Sequence, residues 1–148
     1  MNIMFISNTG VHHALIAANI FLGRLHNPNF RYIKGFCDVA HDKSGFPIYI
    51  GEDNQSRKVY TLGVGKDVLM AKKTLEDLRD ILGFTERELV IEPVSVPGES
   101  LIKFCSRWPK ILGGAHLNAL VSTYILRRQF HVIQKTVEDL QGRLKEMH

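Results

Sequence analysis

Apolar and polar positions change period several times along the chain, and each change marks an element. Ile3-Met4-Phe5-Ile6 is a continuous apolar run, too short for a helix, and predicts a buried strand. Ser7-Asn8-Thr9-Gly10 ends it with turn residues. From Val11 the period lengthens, and Ala14, Leu15, Ala18, Leu22 and Leu25 fall near one side of an amphipathic helix. Asn27-Pro28-Asn29 marks a turn. Residues 30–36 (FRYIKGF) predict a strand with Gly35 as its bulge or end, and the polar stretch 38–45, which carries His41 and Asp42, predicts a loop. Residues 48–51 and 58–63 predict two further strands, joined as a hairpin across the polar stretch 52–57.

Gly63-Val64-Gly65-Lys66-Asp67 is a second strand-to-helix corner, with Asp67 placed as an N-cap. The helix predicted over 68–82 sets Val68, Ala71, Leu75, Leu78 and Leu82 on one face, and Gly83 ends it in the left-handed conformation. Residues 89–94 (LVIEPV) predict a last strand, at an edge or an end because of Pro93. Residues 100–110 form a short apolar stretch of ambiguous type, and a long helical tract follows over about 116–147, as one helix or as two with a break near Arg128-Gln129. Strands alternating with helices imply an α/β fold: a three-layer sandwich with a mainly parallel sheet, an inserted β-hairpin and a long C-terminal helix. No linker or low-complexity segment divides residues 1–148, so one domain is expected.

Composition narrows the function classes. The chain has 148 residues, 45% apolar and 23% charged, an ordinary globular balance. No apolar run approaches the roughly 18–20 residues of a spanning helix, and the N-terminus lacks the basic and small-residue pattern of a signal peptide, so a cytoplasmic address and no membrane partner are expected. Cys37 and Cys105 are read as free thiols, since neither has a second cysteine at metal-binding spacing. The net charge of +4 suits a small anionic ligand; without a basic run interleaved with aromatics, a nucleic-acid partner is not expected.

Two stretches carry candidate chemistry. Ser7-Asn8-Thr9-Gly10-Val11-His12-His13 runs from the first strand into the first helix, and Gly113-Gly114-Ala115-His116 precedes the last one. Backbone N–H groups at a helix start, aided by the helix dipole, favour an anion. Both 7–13 and 63–67 lie at the carboxyl ends of predicted strands, where ligands of such folds gather. An imidazole at a helix N-terminus is held neutral by the same dipole, which suits a general base, a metal ligand or a phosphoryl acceptor. Against this stands the simpler alternative that each histidine caps or packs and each glycine serves the turn. G-x-x-x-x-G-K-[ST], G-x-G-x-x-G and H-E-x-x-H are all absent, so the motifs name no cofactor and assign no metal. Glu52 and Asp53 form a carboxylate pair read as solvated.

Asn8-Thr9-Gly10-Val11-His12 before a small-residue helix, the block 48–53 (IYIGED) with 59–63 (VYTLG), and the late Gly113-Gly114 occur in one order. Together they resemble a family of small uncharacterised bacterial proteins, a domain of unknown function met mainly in endospore-forming bacteria. In that family the first turn reads Gly-Gly-x-His followed by Ser or Thr. Here Asn8-Thr9-Gly10 precedes the histidine and His13 stands where the hydroxyl is expected. The resemblance implies a fold and candidate positions but no reaction.

The leading expectation is a domain that binds a small phosphorylated or otherwise anionic ligand at the first turn. Ser7, Asn8, Thr9, Gly10, Gly113 and Gly114 would supply contacts, Lys66 would add charge, and His12 and His116 would orient the ligand or transfer a proton. The alternative is a non-catalytic homodimeric interaction module using Tyr124, Phe130 and Ile133 of the C-terminal helix. A phosphohistidine carrier at His12 comes last.

Overall fold

A computed structural model describes residues 1–42, 45–95 and 114–147, without the side chains of Arg31, Val39, His41 and 114–122. Its elements are β1 (Asn2–Ser7), α1 (His13–Phe21), a 3-10 turn (Phe30–Tyr32), α2 (Val39–Asp42), β2 (Ile48–Glu52), β3 (Lys58–Gly63), α3 (Val68–Ile81), β4 (Leu89–Pro93) and α4 (Gly114–Glu146). The fold is mixed α/β, with an open four-stranded sheet in the order β2-β3-β1-β4. β1 runs parallel to β3, from Asn2 opposite Lys58 to Ser7 opposite Gly63, and parallel to β4; β2 pairs antiparallel with β3.

Alternation along β1 divides the core. Ile3 and Phe5 join Val59 and Val90 in a cluster with α1 and α4, whereas Met4 and Ile6 join Leu62, Ile91, Val68 and Leu75 of α3. Each fully buried Phe or Ile contributes roughly 1.5–3 kcal/mol. After β1 the chain crosses to β2 and β3 on one side of it, and after β3 it crosses to β4 on the other. The carboxyl ends of β1 and β3 therefore form a topological switch point, the usual location of a crevice in open α/β sheets.

Several elements depart from expectation. Helix α1 starts at His13 rather than Val11, and it is not amphipathic: every residue from His13 to Phe21 except Ile20 is buried. It packs against β1 and β3 and also against α4, so it has no solvent face. Residues 30–36 form no strand. Phe30 stacks on Phe36 at 5.5 Å and on Phe130 of α4 at 6.2 Å, which curls the segment over the core and leaves no extended edge to pair. Asp42, expected in a loop, ends the short helix α2.

Helix α3 begins on Asp67, whose carboxylate accepts from Met70 N at 3.0 Å, and Gly83 follows it at φ +79°, as expected. Pro93 ends β4 at the sheet edge. Helix α4 is unbroken through Arg128-Gln129 and buries Leu126, Phe130, Ile133, Val137, Leu140 and Leu144. Of the strip assigned to a dimer contact, Phe130 and Ile133 are thus core residues and Tyr124 is exposed, because α1 supplies the apolar surface that would otherwise be missing. Among the described residues no helix is long and apolar enough to cross a membrane. Cys105 lies outside the described residues, and Cys37 is partly buried.

Candidate functional site

The first turn is tightly built, and several of its donors are used internally. Ser7 Oγ donates to Thr9 O at 2.6 Å and accepts from Ala14 N at 3.3 Å. Gly10 N donates to the Asp42 carboxylate at 2.7 Å. Val64 N and Gly65 N donate to Ser7 O and Asn8 O, joining the two strand-to-helix corners. One amide of the turn, that of Gly10, thus already faces a negative charge, supplied by the chain itself.

Asp42 explains two glycines. A Cβ on Gly10 would stand 3.0 Å from Asp42 Oδ1 and 3.0 Å from Gly63 N; one on Gly63 would meet Asp42 Oδ1 and would lie 2.8 Å from Gly10 N. The carboxylate sits where the ends of β1 and β3 approach too closely for side chains. Burial raises its pKa above the usual carboxylate value, and the Gly10 hydrogen bond pulls the other way.

His12 is 1% exposed, and its Nδ1 shares a hydrogen bond of 2.6 Å with Thr9 Oγ1. Its Nε2 is buried with no hydrogen-bond partner among the described residues, and its ring meets Phe36 edge-on at 6.0 Å. Burial lowers the pKa of His12 to about 4; burial, then the neighbouring His12, lowers that of His13 to about 3. Both imidazoles are neutral at pH 7, as expected, but desolvation rather than the helix dipole is the cause. Lys66 is exposed on the β3–α3 corner. Gly114 is the first residue of α4, while Gly113 and the His116 side chain lie outside the described residues.

Beside this turn a cavity of about 500 Å³ opens between α1, β2, the end of β3 and the 34–38 turn. Its walls include Gly10 and Val11 of the first turn but not Ser7, Asn8, Thr9, His12 or Lys66. Leu15, Ile48 and Ile50 give it an apolar side; Asn19, Thr61, Arg24, Lys34 and Asp38 give it a polar one. Thr61 is fully buried, and its Oγ1 has no partner among the described residues.

Arg24 is held by a local irregularity that sequence reasoning missed. The β2–β3 register shifts between Tyr49 and Gly51, and the Ile50 carbonyl accepts from Arg24 Nη1 at 3.0 Å. Gly51 makes room for the guanidinium: a Cβ there would stand 2.5 Å from Nη2. A glycine inside an otherwise apolar strand was the one signal in the sequence that a side chain crosses at this point. Lys34 has no bond partner among the described residues. The Glu52-Asp53 pair does not act as a unit: Asp53 is bound by Arg57 Nε at 2.6 Å and by the amides of Gln55 and Arg57. Among the described residues no group of three or more His, Cys, Asp or Glu could hold a metal ion.

No curated protein and no solved structure matches the chain. One family model does, across residues 2–142, and so includes the first turn, the β2–β3 pair, Arg24, Lys34 and nearly all of α4. The chain belongs to the family described as "Protein of unknown function (DUF3189)".

Proposed function

We propose that this chain is a single three-layer α/β domain that binds a small anionic ligand in the cleft beside the β1–α1 turn. One observation carries the reading: Arg24 and Lys34 border a cavity of about 500 Å³ that also has an apolar wall of Leu15, Ile48 and Ile50. That mixture, an apolar enclosure with a few convergent polar groups, is the usual make-up of a small-molecule site. Arg24 spends one N–H on Ile50 O and keeps others for a phosphate or carboxylate, and Lys34 adds a second positive charge.

The anion belongs at this cationic end rather than on the turn amides. Gly10 N is bound to a carboxylate and Ala14 N to Ser7 Oγ, and Asp42 would repel a second negative group at the turn. Gly10 and Val11 then form the wall nearest the switch point, while Asn19 offers a neutral hydrogen bond to the body of the ligand. His12 has a positioning role: it braces Thr9, and through it the turn that forms this wall.

A thermal-shift and calorimetric screen of inorganic phosphate, sugar phosphates and nucleoside monophosphates tests this. A binder should lose roughly tenfold in affinity, about 1.4 kcal/mol, in Arg24→Ala or Lys34→Ala. Equal binding to wild type and both variants would remove the cleft from consideration.

A further inference from the structure

On the sheet face turned away from the cleft, α3 is apolar on two sides and buries only one of them. Val68 and Leu75 hold the helix to the sheet. Met70, Leu78, Ile81 and Leu82 lie off that side and are 63%, 48%, 81% and 62% exposed. Met70, Thr74, Leu78 and Ile81 recur at intervals of four, four and three residues, so they form one strip, and Leu82 adjoins Leu78 a turn later. Phe84, half exposed, lengthens it: beyond Gly83 the chain turns back, and the Phe84 amide donates to Arg79 O at 3.0 Å, which keeps this residue beside the last turn. We propose that the strip is the contact surface of a homodimer, in which α3 packs antiparallel against α3 of a second copy about a two-fold axis.

Area supports a second copy. The five exposed side chains offer on the order of 500 Å² of apolar surface, at the upper end of the roughly 300–600 Å² that a monomer's largest patch reaches. A standard interface of about 800 Å² per partner, about 60% apolar, needs that much. The layer also has room for another helix. Four strands about 4.8 Å apart make a face wider than one helix of about 10 Å. Helices α1 and α4 share the other face, whereas α3 lies over β4 and β1. Beyond it the same face runs on over β3 and β2 as Tyr60 and the exposed Tyr49, with ring centroids 5.4 Å apart.

Charge sets the direction. Lys73, Asp77 and Asp80 border the strip on its solvent side, and neither Lys73 nor Asp77 has an ion-pair partner among the described residues. An antiparallel pair centred between Thr74 and Leu78 brings Lys73 within a turn of the partner's Asp77 and the partner's Asp80, and symmetry makes that contact twice. A parallel pair would set Lys73 against the partner's Lys73. The alternating signs also argue against a lipid surface, which calls for a basic rim. The contact lies on α3 and not on α4, whose Phe130 and Ile133 are spent in the core.

Sedimentation velocity on the full chain, from about 1 to 100 µM, tests this. The mass should rise with concentration from one chain to two and stop there. Ile81→Asp should raise the dissociation constant roughly a hundredfold by setting two unpaired charges in the contact, with the far-UV circular dichroism unchanged because the side chain is exposed. Tyr124→Asp, on the exposed side of α4, should leave the constant as it is. Lys73→Glu should weaken the dimer, and adding Asp77→Lys should restore it. A single-chain mass at every concentration, a dimer indifferent to Ile81→Asp, or one broken by Tyr124→Asp would overturn the proposal. Growth beyond two chains would overturn the two-fold contact, and failure of the charge swap to restore dimers would overturn the antiparallel pairing. A wild-type monomer that binds phosphatidylcholine or phosphatidylserine vesicles through Ile81 would replace the second copy with lipid.

Discussion

Acidification from about pH 7 to pH 5 should destabilise this fold steeply through its two buried histidines. In the unfolded chain each titrates near 6.5, while in the fold His12 titrates at about 4 and His13 at about 3. Between these values the unfolded state binds protons that the folded state refuses, so stability falls as the pH falls. Each group contributes a slope of roughly 1.4 kcal/mol per pH unit, about 2.7 together. At pH 5 the two have removed about 4 kcal/mol, a large share of the roughly 5–15 kcal/mol that holds a domain together. Asp42 acts in the opposite sense. Its folded pKa is raised by burial above the ordinary 3.8, so protonation on acidification favours the folded state and offsets part of the loss from the histidines. Urea unfolding followed by circular dichroism at several pH values between about 7.5 and 5 reads the slope directly. His13→Leu should roughly halve that slope whatever it does to absolute stability. A wild-type stability that is flat over this interval, or a slope that His13→Leu leaves unchanged, would refute the reasoning.

Three substitutions probe the remaining contacts. Gly51→Ala would place a Cβ 2.5 Å from Arg24 Nη2, and since the guanidinium is the free end of a flexible chain, it should swing away and leave the fold intact. The gain of alanine over glycine in a strand, about 0.5–1 kcal/mol, offsets the lost hydrogen bond, so the melting temperature should hold while phosphate binding falls as in Arg24→Ala. A lowered melting temperature with binding preserved would contradict this. Gly63→Ala meets backbone instead, 2.8 Å from Gly10 N, and should cost about 1–3 kcal/mol in urea unfolding. Arg143→Ala removes the 2.6 Å partner of the nearly buried Glu92 carboxylate and should cost about 1–2 kcal/mol, below the full penalty of a buried pair because Arg143 is half exposed. Adding Glu92→Leu should recover most of that loss.

The sequence alone located the local structure wherever a short-range rule applies. The apolar run 3–6, the Asp67 cap, Gly83 and Pro93 each state their geometry within a few residues, and β1, α3 and the end of β4 follow them. The continuous α4 could be placed from periodicity, although which of its apolar positions face the core depends on α1. Residues 30–36 look like a strand in isolation and are a curl, because Phe30 and Phe36 are claimed by the same aromatic cluster as Phe130. The first turn was legible as a turn, but not the fact that Asp42, 32 positions away, already occupies its Gly10 amide. No motif in the sequence singles out Arg24 or Lys34. Only the bulge at Ile50 and the missing side chain at Gly51 bring Arg24 to the border of the cavity. Periodicity and capping are carried by neighbours a turn or two apart. The meeting of charges from separate loops depends on where the packed sheet and helices leave the loop ends, and that is decided by tertiary structure.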